Sequence, residues 1–235
     1  MTILPGLTST KKDRIPAFLA DIRRHRLSAI ALFPTCLTEV ERAALYRELE
    51  TIPGLRIPHV HLRSDCNETE IEYLSNRFGA EVFNIHPRAT SYPFGPISLR
   101  HAPRFFVENV DLPPEYEEIA GSDGLGPERP ALGGLCPDFS HLENARLQGR
   151  TAYVERMEEL FGRCAVGCCH ISTIRVGDPN EWSGEWDHHD FRSLSDFDYL
   201  AKYKGRLPPQ WASLELENTL EEQLRAADYV AALFA

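Results

Sequence analysis

Ten residues that can bind a metal ion, His59, His61, His86, Glu108, Asp138, His141, His170, Asp187, His189 and Glu215, recur along this chain, most of them at the ends of short apolar runs. Imidazole nitrogen and carboxylate oxygen suit zinc, manganese or iron, and a divalent cation relieves the mutual repulsion of converging carboxylates. A buried parallel strand is ordinarily an unbroken run of Val, Ile, Leu and Phe. Here the runs end in ligand-type residues instead: His59 and His61 in LRIPHVHL, His86 in EVFNIHP, Glu108 in RFFVENV, Asp138 with His141 just beyond LGGLC, His170 in CAVGCCHIS, and Glu215 in WASLELEN. A lone His at a strand end is usually a hydrogen-bonded structural residue, and a lone Glu usually sits on a solvated edge. Recurrence at nearly every strand end is what turns the set into a metal site. Two choices stay open. His59 and His61 share a strand face, as do Glu215 and Glu217, and either member of each pair can reach an ion.

The elements that must carry these residues alternate between short apolar runs and amphipathic helical stretches, the pattern of a parallel sheet wrapped by helices. Counting from LSAIALFP, six strands precede residue 173, and WASLELEN is a late one. Thr38 opens one helix as its N-cap, and Gly79 closes the next. EEQLRAADYVAALF is a C-terminal helix with an apolar face. Two stretches break the alternation: the Pro- and Gly-containing segment after His86, and the polar, Trp- and Asp-rich segment between Ile171 and Leu207, where a seventh strand is short or missing. The expectation is an α/β chain forming a single (β/α)8 TIM barrel over residues 1–235, with irregular segments after strands 3 and 6. In such a barrel the C-terminal strand ends converge on one face, which gathers ligands from separate elements into one pocket.

Composition narrows the class. The chain has 235 residues, 43% hydrophobic and 26% charged, enough to fill one sizeable core. Its apolar stretches are too short for a transmembrane helix, and its early Lys and Arg follow the apolar stretch, the reverse of a signal peptide. Six cysteines without paired spacing read as reduced thiols in a cytoplasm, with adjacent Cys168 and Cys169 pointing to opposite faces of a strand. A net charge of −10 works against broad, sequence-independent nucleic-acid binding and decides little else; the partner expected is a small-molecule substrate, phosphorylated or a sugar.

From Arg56 to the C-terminus the short motifs resemble the xylose-isomerase-like TIM-barrel superfamily, with a ligand pattern most similar to its endonuclease IV branch. Pro58-His59 resembles the family's Pro-His, and Asn84-Ile85-His86-Pro87 its Asn-Phe-His-Pro, each carrying a metal-binding His. Val107-Glu108-Asn109 resembles Ile-Glu-Asn, whose Glu bridges two metals. Cys136-Pro137-Asp138-Phe139-Ser140-His141 is similar to Cys-x-Asp-x-x-His, a pair of ligands. Cys169-His170 fits the ligand His of the sixth strand. Asp187-His188-His189 resembles Asp-x-His, both ligands to a third metal, and Ser213-Leu214-Glu215 resembles the final strand with its ligand Glu. The chain departs from the DNA-repair enzymes in being shorter, compressed after His86, and acidic.

Three readings follow. The first is a metal-dependent hydrolase of a phosphate ester, with a multinuclear site, zinc as the favoured metal, and Glu108 and Glu215 among the catalytic groups. The second is a sugar or sugar-phosphate isomerase or epimerase, with one Mn or Mg held by Glu108, Asp138, His170 and Glu215, and with Glu108 and Glu215 as the acid/base pair. The third is a binding protein that keeps the metal pocket without turnover.

Overall fold

The structure, a computed structural model, describes residues 1–87, 100–121, 131–181, 183–206, 208 and 210–234. Most of the irregular segment after His86 therefore lies outside the described residues. The chain opens with a strand that its hydropathy does not announce. Strand β1 is made of two pieces, Thr2–Leu4 and Gly6–Thr8, joined at Pro5. Proline has no N–H to give a ladder, so a break falls there. The Pro5 carbonyl still accepts from the Ala31 N–H at 2.9 Å. β1 is followed by β2 (Ala29–Phe33), β3 (Arg56–His61), β4 (Val82–Ile85), β5 (Phe105–Glu108), β6 (Gly134–Cys136), β7 (Cys168–Ile171) and β8 (Trp211–Leu214).

All eight strands run parallel, and the ring closes. The second piece of β1 pairs with β2, and parallel pairing continues through β6. The first piece of β1 pairs with β8, and β8 with β7. Between β6 and β7 the ladder is reduced to parallel bridges at Leu135–Val166 and Asp138–His170, held by Leu135 N–H to Ala165 O at 2.8 Å and His170 N–H to Pro137 O at 3.0 Å. Gly6 is required where β1 crosses from one neighbour to the other, because a Cβ there would run into the Leu214 carbonyl.

The (β/α)8 barrel is therefore as expected, but the strand count needs correcting. The strand sought between Ile171 and Leu207 is at the N-terminus instead, so the irregular segments follow β4 and β7. Two three-residue pieces split by a proline are too short to show a period. The polar stretch after β7 is also not all loop: Asp187–His188 pairs antiparallel with Thr173–Ile174 as a small ribbon, and 3₁₀ turns follow over Leu194–Arg206.

Helices α1 (Ile15–His25), α2 (Glu39–Glu50), α3 (Glu68–Phe78), α4 (Tyr116–Ala120), α5 (Phe139–Leu147), α6 (Thr151–Arg163) and α7 (Leu220–Phe234) cover the outside. Thr38 caps α2 in a reciprocal capping box with Glu41, and Gly79 ends α3 at φ 65° in the left-handed region. Two apolar cores result. The larger lies between strands and helices and includes Leu32, Val60, Phe83, Val107, Cys169 and Leu214. The smaller fills the barrel itself with Leu4, Ala31, Phe33, Phe106, Cys136, Cys168 and Trp211. Cys168 thus faces inward and Cys169 outward, as strand alternation requires.

One buried charge fastens α2 to α3. The Arg42 side chain is fully buried; it donates to both Glu70 oxygens at 2.7 and 2.9 Å, to Asp65 at 2.9 Å and to the Leu37 carbonyl at 3.1 Å. Removing the cation leaves the nearly buried Glu70 carboxylate and the Leu37 carbonyl without it, while Asp65 is half exposed and can turn to solvent. Arg42→Met is expected to destabilise the chain by about 3–5 kcal/mol, read from the shift of its urea midpoint. An unmoved midpoint would show that the guanidinium contributes nothing.

Candidate metal centre

Alternation alone would not bring both β3 histidines inside. The pairing of β2 with β3 runs Ala29–Arg56 and then Ala31–His59, so β3 holds one extra residue at a bulge around Ile57 and Pro58. Ile57 packs in the outer core, while His59 and His61 both lie buried inside the barrel.

At the mouth, one ligand atom each from Glu108, Asp138, His170 and Glu215 lies within 4.8 Å of those of the other three, and His61 forms a second such group with Glu108 and His170. His170 Nδ1 is 3.2 Å from Glu108 Oε1 and 3.1 Å from Glu215 Oε2, yet neither contact has the angles of a hydrogen bond. Both ring nitrogens of His170, both of His61 and Asp138 Oδ2 are buried without a hydrogen-bond partner among the described residues. Orphaned buried polar atoms are costly, and here they converge with three carboxylates on one point. A divalent cation would take one His170 nitrogen and Asp138 Oδ2 together with the Glu108 and Glu215 carboxylates, with a His61 nitrogen close to two of them, so these residues fit the ion the sequence implies.

Each ligand is aimed by its own element. Asp138 is the N-cap of α5: its Oδ1 accepts from Ser140 N–H at 2.7 Å, Ser140 hydroxyl at 2.6 Å and His141 N–H at 3.2 Å. That leaves only Oδ2 for the centre. Asn109 holds the Asp138 backbone through its amide, with contacts of 2.9 and 3.0 Å. Burial pushes His61 down to about 3, keeping it neutral with a lone pair to offer. For His170 burial also opposes charge, but the Glu108 and Glu215 carboxylates outweigh it and hold the ring well above its ordinary value. The converse holds for Glu215: burial opposes ionisation, His170 outweighs it, and the carboxyl is lowered to about 2.

Position separates the members of both pairs. Glu215 lies against His170, whereas Glu217 turns to Lys11 at 3.6 Å. His61 joins the cluster, whereas His59, expected as a ligand, is engaged at both nitrogens: Nδ1 with Ser213 Oγ at 2.7 Å and Nε2 with Asn84 Oδ1 at 3.0 Å. His59 also lies close to the Cys136 and Cys168 thiols one layer down, but its nitrogens are already taken. His86 stands at the rim, half exposed, with Nε2 4.0 Å from Glu108. His141 and Asp187 form a pair at 2.7 Å; burial opposes the His141 charge, but Asp138 and Asp187 raise it to about 10. His189 Nδ1 meets the Glu215 backbone carbonyl at 3.2 Å and comes within 3.9 Å of its side chain. Among the described residues His141, Asp187 and His189 are not drawn into a three-ligand group. Asn84 and Ser213 were legible only as polar residues inside apolar runs, two positions before His86 and Glu215.

The ring of parallel strands and the carboxylate–histidine cluster at its C-terminal mouth define a TIM barrel with a candidate divalent-metal centre. No family model matches the chain, and no curated protein does. Among solved structures it is similar to a xylose isomerase-like TIM barrel protein from Mycobacterium smegmatis, solved in complex with magnesium, at 11% identity and a TM-score of 0.44 over 100% of this chain and 98% of that one. No helix among the described residues is long and apolar enough to cross a membrane.

Proposed function

We propose that the chain is a metal-dependent isomerase or epimerase acting on a small polyhydroxylated carbonyl compound through one divalent ion, manganese or magnesium, at the barrel mouth. The observation that carries this reading is the four-residue cluster of Glu108, Asp138, His170 and Glu215, the one group of four among the described residues, in which two carboxylates flank one histidine. When bound, the ion supplies polarisation of the substrate carbonyl and so acidifies the adjacent C–H. Glu108 and Glu215 come from strands three places apart in the ring, which supports one taking that proton and the other returning it. Asp138 and His170 hold the ion, with His61 beside them. A cavity of about 560 Å³ beside the centre is lined by His141, Asn144, Asp187 and His189, a polar wall suited to hydroxyl groups.

The phosphate-ester hydrolase, the first reading of the sequence, becomes the second one here, and the observation favouring it is the His141–Asp187 pair with His189 nearby. Metal analysis of protein purified without chelator separates the two. One manganese or magnesium per chain supports the isomerase; two or three zinc ions support the hydrolase. The isomerase reading further expects a ketose or aldose incubated with the loaded chain in D2O to gain deuterium beside its carbonyl. Hydrolysis of phosphate esters with no such exchange refutes it.

A further inference from the structure

Four buried side chains form a continuous line across the barrel interior just beneath the mouth. Ser213 Oγ lies 2.7 Å from His59 Nδ1, His59 Nε2 lies 3.0 Å from Asn84 Oδ1, and Asn84 Nδ2 donates to Glu108 Oε2 at 2.7 Å. They belong to β8, β3, β4 and β5, and none is more than 2% exposed.

The donor direction along this line follows from one end. Asn84 Nδ2 donates to Glu108 Oε2, which leaves the Asn84 carbonyl facing His59. That carbonyl can only accept, so His59 carries its proton on Nε2. Nδ1 is then an acceptor, and the Ser213 hydroxyl donates to it. The three hydrogen bonds then run in one direction, from Ser213 through His59 and Asn84 to Glu108.

We propose that Ser213, His59 and Asn84 form a fixed hydrogen-bonded support that presents Glu108 to the ion in one orientation, making His59 and Asn84 positioning residues. The proposal rests on Glu108 being a ligand of the centre described above. With Oε2 held by Asn84 and 3.6 Å from His61 Nε2, Oε1 is the oxygen that faces His170, at 3.2 Å. The support starts on the strand that carries Glu215, two residues away and on the same face, so it also ties the two carboxylates flanking His170 into one frame. Partners that orient a ligating side chain typically matter to metal affinity by about 10- to 100-fold.

The test uses Co²⁺ as the probe, because its visible absorption reports ligand number and geometry and its affinity can be titrated without turnover. Asn84→Ala and His59→Phe are expected to bind Co²⁺ about 10- to 100-fold more weakly than the natural chain, with an altered spectrum. Urea unfolding of each metal-free variant checks that the barrel is folded. His59→Gln, whose amide can donate to Asn84 and accept from Ser213, is expected to recover part of the affinity lost in His59→Phe. Natural affinity and spectrum in both Asn84→Ala and His59→Phe would overturn the proposal and leave the metal centre standing. A glutamine variant no tighter than the phenylalanine one would overturn it too, by assigning the loss to packing. Failure of the natural chain itself to take up Co²⁺ would remove the centre, and the support with it.

Discussion

Glu108→Gln is expected to lower turnover by about 10²- to 10⁴-fold and to weaken metal binding in the same protein. The substitution keeps the shape of the side chain and an oxygen for Asn84 to donate to, but removes the charge that faces His170 and, on the proposed isomerase reading, the group that exchanges a proton with substrate. Glu215→Gln should behave alike, because its carboxylate flanks His170 from the other side at 3.1 Å. Glu217→Gln is the contrast: that carboxylate pairs with Lys11, and its loss is expected to leave metal content unchanged. Elemental analysis alongside isomerase assays reads all three. Undiminished metal and turnover in both Glu108→Gln and Glu215→Gln would take the cluster out of the chemistry.

Metal uptake is expected to release close to one proton per ion at about pH 7, and the affinity to fall about tenfold per unit as pH is lowered. The proton is the one on His170. Burial works against it, but Glu108 and Glu215 hold that ring well above the ordinary histidine value of 6.5, so the metal-free chain carries the imidazolium near neutrality. An incoming ion must displace it. The sign for the metal-free fold follows from the same shift: the stabilisation by charged His170 is full below about pH 6.5 and is lost as pH rises through the raised value. Glu215 acts in the opposite sense, contributing above its ordinary value of 4.5 and losing that contribution as pH falls toward about 2. Alkaline pH should therefore destabilise the metal-free chain while favouring its metal-loaded form. Calorimetric titration in two buffers of different ionisation enthalpy measures the proton count. A count of zero with a flat pH profile would remove His170 from the ligands.

Much of the fold and site is legible in local pattern. Thr38 and Gly79 mark helix ends through the hydrogen bonds and backbone angle they supply, and those signals need no tertiary context. Glu108, Asp138, His170 and Glu215 stand out because each closes an apolar run where a buried strand should have only hydrocarbon. β1 escapes such reading because Pro5 divides it into pieces too short to show a period. The break between α5 and α6 at Gln148–Arg150 is likewise hidden inside one continuous helical pattern.

The residue types and their order along the chain thus determine that a parallel barrel will gather carboxylates and imidazoles at one mouth, since strand direction alone sends every C-terminal end there. Which of them meet is a tertiary matter. The bulge in β3 rotates His59 and His61 inward together, and only Ser213 across the barrel and Asn84 on the adjacent strand engage the nitrogens of the first, while those of the second have no hydrogen-bond partner among the described residues. Glu215 and Glu217 share a strand face, yet His170 on β7 stands beside one and Lys11 beside the other. Side-chain period is a property of one strand, whereas a metal site is a property of the distances between several, and those distances exist only once the ring has closed.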